Sequence, residues 1–287
     1  MTVLDTQPVA AAAMPRSKRR RWTPAQLGAG IPLVLLAVLA GLAPVLPIPG
    51  PNDIDGSAVA LSPFSGGHLL GTDTLGRDML SRALFGAQLT FLVALTSVAA
   101  GFVVGGALGL IAGYRAGPLG AVIMRIMDVI LAFPSLVFAI AINAVLGASV
   151  LNVILSIAFF SVPAYARLAR SAALSLRGQD YILAARLVGE PWWRIVLRHL
   201  LPNALPPLLA FALVNLALAV LIESSLSFLG LGLRPPNPSW GVMIAEGRAQ
   251  MATYPHLVVV PGLFLFLTLL CINLLADATR TRTKGAS

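Results

Sequence analysis

Lysine is almost missing from the 287 residues: only Lys18 and Lys284 occur. No G-x-x-x-x-G-K-[ST] loop can be written, so the chain is not itself a P-loop ATPase. The single cysteine, Cys271, lies in an apolar run, which leaves no disulfide framework and no thiolate metal cluster. His68, His199 and His256 are scattered without ligand spacing, so no metal site is expected. Charge is scarce too. Asp, Glu, Lys and Arg make up 11% of the residues, against about a quarter in a soluble domain. There is no G-x-S-x-G, no H-E-x-x-H and no nucleophile–base pair, so no catalytic residue is expected and a membrane enzyme is disfavoured.

What the chain has instead is long apolar runs: 57% of residues are hydrophobic and the mean hydropathy is +0.87. That composition predicts an all-α polytopic membrane protein. Six spans fall at roughly 27–46, 90–112, 121–146, 150–166, 204–222 and 257–275, each near the ~20 residues a bilayer needs. The first run is longer than a signal h-region and has no convincing cleavage site, so it reads as a retained span. The net charge of +9 belongs to residues flanking the runs, which favours membrane lipid over nucleic acid as a partner. With the N-terminus inside, the cytoplasmic segments hold 16 of the 20 Lys and Arg. Only Arg77, Arg82, Arg234 and Arg248 fall outside. Both termini are therefore expected in the cytoplasm. The expected organisation is a basic tail at 1–26, a first span and outer loop at 27–87, a core at 88–280 and a second tail at 281–287.

Within the spans, Gly101, Gly105, Gly109 and Gly113 recur every four residues and mark one close-packing helix face. Pro134 predicts a kink. Arg125 and Asp128 are spaced to pair. In the outer loop, Gly71-Thr72-Asp73 and Gly76-Arg77-Asp78 offer turns and an Asp73–Arg77 or Asp78–Arg82 pair; a self-satisfied surface loop is the plain alternative. Ionisable groups are nearly absent deep in the spans, where the polar residues are Asn143, Asn215 and Asn273. An ion-coupled carrier would need such groups.

The segment 180–203, DYILAARLVGEPWWRIVLRHLLPN, is both cationic and helix-patterned, between two apolar runs. Asp180 is placed to cap a first helix, Gly189 to end it, Pro191 to open a second, and Pro202 to stop that one. The result is a cytoplasmic helical elbow with a small-residue patch at Ala184 and Ala185, suited to docking a partner. The Gly- and Pro-rich segment 223–250, from Glu223, Ser224 and Ser225 through Trp240 to Glu246, reads as an outer loop, with Trp240 at the headgroups.

These segments resemble bacterial ABC-importer permeases. Ala184, Ala185, Gly189, Ile195, Leu201 and Pro202 match the EAA loop in register, while its acidic position is Leu183. GTDTLGRDMLSR at 71–82, DVILAFPSL in the third span and ESSLSFLGLGLRPPNPSWGVMIAEGR at 223–248 are similar to the second permease (DppC/OppC type) of dipeptide, oligopeptide and nickel importers. The resemblance covers roughly residues 68–278, and Ala276 replaces a usual glycine. It implies a MetI-like permease of the type I importer fold and no cofactor in this chain, with ATP and Mg bound by partner ATPases. It implies a second permease chain, two cytoplasmic ATPase domains and an extracytoplasmic solute-binding protein. Tyr181, Ala184, Ala185, Arg186, Gly189, Arg194 and Arg198 would contact the ATPase. Glu223, Ser224, Ser225, Trp240 and Glu246 would form an outer gate and docking platform. Peptides are the expected substrates, with nickel or another small solute as the alternative.

Overall fold

The computed structural model describes residues 24–284, with side chains from 28 to 279. Residues 1–23 of the expected basic tail (1–26) and residues 285–287 lie outside the described residues. The described chain is helical. α1 spans Pro24–Leu42 and ends in a short 3₁₀ turn, Ala43–Val45, at the proline cluster. An irregular segment then leads to α2, Met79–Tyr114. At 1.5 Å per residue its 36 residues reach about 54 Å, well beyond a ~30 Å hydrocarbon core. Span 2 therefore begins eleven residues before the expected Thr90. Asp78 caps it, accepting from the Ser81 N–H at 2.7 Å.

α3 (Pro118–Leu131) and α4 (Ser135–Leu146) form a bent apolar pair with an angle of 78° between them. The break is at Pro134, whose missing N–H and bulky ring cannot continue α3. α5 spans Val150–Leu176, ten residues past the expected end at Ala166. The elbow follows as α6 (Asp180–Leu187) and α7 (Trp192–Ile195). α8 spans Leu201–Phe228, α9 spans Trp240–Gly247 and α10 spans His256–Lys284. Counting the bent pair once, the described residues hold six segments apolar and long enough to cross a membrane.

Pro202 does not stop the second arm of the elbow. α7 passes through a π-helical turn, Val196–Leu200, straight into α8, so the arm and the fifth span form one continuous rod from Trp192 to Phe228. In the π turn the Leu201 N–H bonds the Val196 carbonyl. That wider turn sits where a proline ring would crowd the Arg198 carbonyl four residues back, and Pro202 then occupies the first turn of α8.

The packing centre is the parallel pair α2 and α5. The places where a Cβ would project from Gly101, Gly105, Gly109 and Gly113 are filled by Ser161, Val162 with Tyr165, Ala166 with Ala169, and Ala173 with Arg170. The four-residue glycine stripe is thus the seam along which the two backbones meet. Phe102 and Phe211 both pack edge-on against Tyr165, joining α8 to the same core. Leu35, Leu92, Val122, Leu155 and Phe266 are exposed on the outside, as expected of a lipid-facing surface.

One expected ion pair forms differently. Asp128 meets Arg167 of α5 at 2.7 Å instead of Arg125. Arg125 is on the same short helix, but the α3–α5 packing brings Arg167 across to the carboxylate.

Candidate functional site

Both ends of the helix bundle carry sequence-predicted residues. At the end where α2 and α5 finish, the elbow α6–α7 folds back on the bundle. Gln179, not Asp180, is the N-cap of α6; Asp180 is the first helical residue, where its charge still suits the positive end of the helix dipole. The corner is a Schellman motif. Gly189 has φ +78°, its N–H bonds the Arg186 carbonyl at 3.0 Å, and the Glu190 N–H bonds the Ala185 carbonyl at 3.0 Å. Any side chain at Gly189 would be strained by that left-handed conformation.

The elbow has an inner and an outer face. Ile182, Ala185, Ile195, Val196 and Leu200 are buried. Ala185 therefore belongs to the inward packing and not to the expected contact surface; at three residues past Ile182 it shares that residue's helix face. Ala184 and Arg186 are exposed, as are Arg194 and Arg198. Leu187 and Val188 stand out, at 88% and 82% exposure beside the glycine corner. Tyr181 is half-exposed, with its ring 6.4 Å from that of His199. The His199 Nε2 lies 2.9 Å from Glu190, tying the second arm to the corner. Arg186 stacks over the Tyr114 ring at 4.8 Å, and Arg115 stacks over Trp192 at 4.5 Å. The elbow is thus clasped to the end of α2. Leu183, where the family motif carries an acid, is half-exposed.

At the opposite end, the start of α2, the loop before it, α9 and the start of α10 form a polar network. Asp73 accepts from Arg77 Nε at 2.6 Å, the expected pair. Asp78 does not pair with Arg82; it meets His68 Nδ1 at 2.7 Å while capping α2. Arg82, only 1% exposed, reaches Glu246 at 2.6 Å and Asp73 at 3.6 Å, and donates to the Pro51 carbonyl. Arg77 also approaches Glu246 at 3.4 Å. Thr72 donates to the Ala58 carbonyl, and its own carbonyl lies 3.1 Å from His256 Nε2. Gly71 and Gly76 both have positive φ, and the backbones of Leu61 and Asp55 occupy the space a Cβ would need. Residues 71–78 therefore knit the loop to α2, α9 and α10.

Glu223, Ser224 and Ser225 are not in an outer loop. The helix-forming run continues through Phe228, so all three lie inside α8. Glu223 is fully buried and accepts hydrogen bonds from Ser227 (2.8 Å), Thr90 (3.1 Å) and Ser224 (3.2 Å). Ser225 turns back to the Leu221 carbonyl. Trp240 is not at the headgroups either. It is fully buried, donates from Nε1 to the Ala83 carbonyl at 3.0 Å and packs edge-on against Phe91. Such a tryptophan fills the junction of α2, α9 and α10 and cannot itself contact a docked protein. No group of three or more His, Cys, Asp or Glu able to hold a metal ion exists among the described residues.

Residues 105–284 match the family described as the binding-protein-dependent transport system inner membrane component. The glutathione transport system permease protein GsiD of Pectobacterium atrosepticum is 41% identical over 255 residues, covering 88% of this chain and 84% of that one. The di/tripeptide transport system permease protein DppC of Pseudomonas aeruginosa is 44% identical over 212 residues, covering 74% and 70%. The MetNI methionine ABC transporter, in an inward-facing conformation, has a chain of the same fold, with a TM-score of 0.58 at 20% identity over 71% of this chain and 97% of that one. The chain therefore belongs to the binding-protein-dependent transport system inner membrane components: it is the non-catalytic permease of an ABC importer, with ATP hydrolysis on partner subunits.

Proposed function

We propose that this permease carries short peptides, di- and tripeptides including glutathione, inward across the cytoplasmic membrane. Its elbow docks on a cytoplasmic ATPase. A second, related permease completes the pathway, and a solute-binding protein delivers peptide at the opposite end. The observation that carries this reading is the exposed Leu187–Val188 tip on a corner whose inner face is packed and clasped to α2. Two large apolar side chains left uncovered at a rigid corner favour a partner that buries them. The clasp to Tyr114 gives a push at that tip a direct route into α2, the helix that spans both ends of the bundle.

Peptide as substrate is supported by the relatives' transport of glutathione and of di- and tripeptides. Nickel is the competing substrate. Uptake of labelled di- and tripeptides into proteoliposomes holding the assembled transporter tests the reading. Peptide accumulation that requires ATP is expected. Accumulation of nickel without peptide, or peptide uptake that follows a proton gradient and ignores ATP, would refute it.

A further inference from the structure

Between α2 and the rod formed by α7 and α8 lies an apolar groove of about 380 Å³, the size of a small-ligand cleft. Phe102, Gly106 and Leu110 line one wall and Trp192, Trp193 and Leu197 the other. Gly106 explains why the groove is open. Unlike the glycines of the α5 seam, it has nothing within 4 Å of where a Cβ would stand. Its missing side chain is not needed for helix packing.

The groove's mouth is cationic. Arg115 lies over the Trp192 ring at 4.5 Å and Arg194 over the Trp193 ring at 5.3 Å, so a guanidinium sits on each tryptophan of the wall. Both arginines are exposed, and neither has a carboxylate within salt-bridge distance among the described residues. A guanidinium stacked on a ring still presents its edge N–H donors, held in a plane that matches phosphate oxygens. Tryptophan favours the membrane interface, so a wall that carries Trp192 and Trp193 beside apolar side chains suits a lipid with its headgroup at the tryptophans.

We infer that this groove binds one anionic phospholipid, its phosphate between Arg115 and Arg194 and an acyl chain along Gly106. The bound lipid would lie against the base of the elbow and fill the space between α2 and α8. The charge complementarity at the mouth selects an anionic headgroup over a zwitterionic one, by a factor on the order of tenfold for two arginines near a phosphate.

The test is lipid retention by the whole transporter. The complex is equilibrated with vesicles of equal phosphatidylglycerol and phosphatidylcholine, re-extracted, and its retained lipid measured by native mass spectrometry. Wild type is expected to retain phosphatidylglycerol by about tenfold over phosphatidylcholine. Arg115→Gln with Arg194→Gln is expected to abolish that preference. Gly106→Leu, whose side chain enters open space, is expected to lose the retained lipid of either kind with the complex still assembled. Equal retention of both lipids by wild type, or a preference that survives the double arginine substitution, would overturn the inference. So would a photoreactive side chain at Val103, on the same wall, that labels another protein chain of the transporter in place of lipid.

Discussion

The Arg186 guanidinium lies 4.8 Å from the centroid of the Tyr114 ring, so the elbow grips the last residue of the helix that runs the length of the bundle. Arg115 makes the reciprocal contact to Trp192 of the elbow. Two crossed cation–π contacts make a joint that resists sliding. At an exposed site each contributes about 0.5–1 kcal/mol. Tyr114→Leu keeps the apolar bulk and removes the ring face. The expected outcome is an assembled transporter in which stimulation of ATP hydrolysis by the loaded binding protein drops about threefold, read in an ATPase assay.

Gly189 and Leu187 should separate the shape of the elbow from its contact. Gly189→Val forces a branched side chain into φ +78° and destabilises the corner by about 1–2 kcal/mol. Leu187→Asp leaves the corner intact, since that side chain is almost wholly exposed. The first change is expected to raise protease sensitivity between α6 and α7. The second is expected to leave that unchanged while reducing co-purification of the ATPase at least about tenfold.

At the other end, Glu246→Gln keeps an acceptor oxygen for the nearly inaccessible Arg82 but removes its nearest negative charge, leaving Asp73 at 3.6 Å as its remaining carboxylate partner among the described residues. Because Glu246 is itself partly exposed, a loss of about 1–3 kcal/mol is expected, less than for a fully buried pair. Arg82→Met in the same background should recover part of it. Thermal unfolding of the detergent-solubilised complex, read as a double-mutant cycle, gives the coupling directly.

Neighbouring glycines of α2 should behave in opposite ways. A Cβ at Gly105 meets the Val162 carbonyl and the Tyr165 side chain, whereas one at Gly106 meets nothing within 4 Å. Gly105→Leu is expected to part α2 from α5 and abolish assembly. Gly106→Ala is expected to change the unfolding temperature by no more than a degree or two, the effect of a few tenths of a kcal/mol. Size-exclusion profiles and melting curves of the two variants check this.

The contrast between residues that were legible in the sequence and those that were not has a physical basis. Gly189, Pro134 and the α2 glycine stripe were readable because each answers a local constraint: a left-handed backbone, a missing N–H, a helical repeat of four. Asp73–Arg77 was readable for the same reason, being four residues apart. Arg82–Glu246 was not, because 164 residues separate them and only the docking of α9 on α2 brings them together. Trp240 misled because a tryptophan with one polar atom suits a headgroup layer and a buried junction equally; the Ala83 carbonyl decides it. Glu223 misled because a charged residue after an apolar run looks like the end of a span. Thr90, Ser224 and Ser227, which satisfy it inside the bundle, come from two helices. Pro202 misled because a helix can pass a proline when a π turn precedes it.

Contact between an ATPase and the Leu187–Val188 tip is what the proposed function requires. A photoreactive side chain placed at position 188 of the assembled, membrane-embedded transporter tests it most directly. The expected result is one main adduct, with the ATPase subunit, whose yield changes when ATP is added. No adduct with the ATPase, or an adduct formed with the solute-binding protein instead, would contradict it.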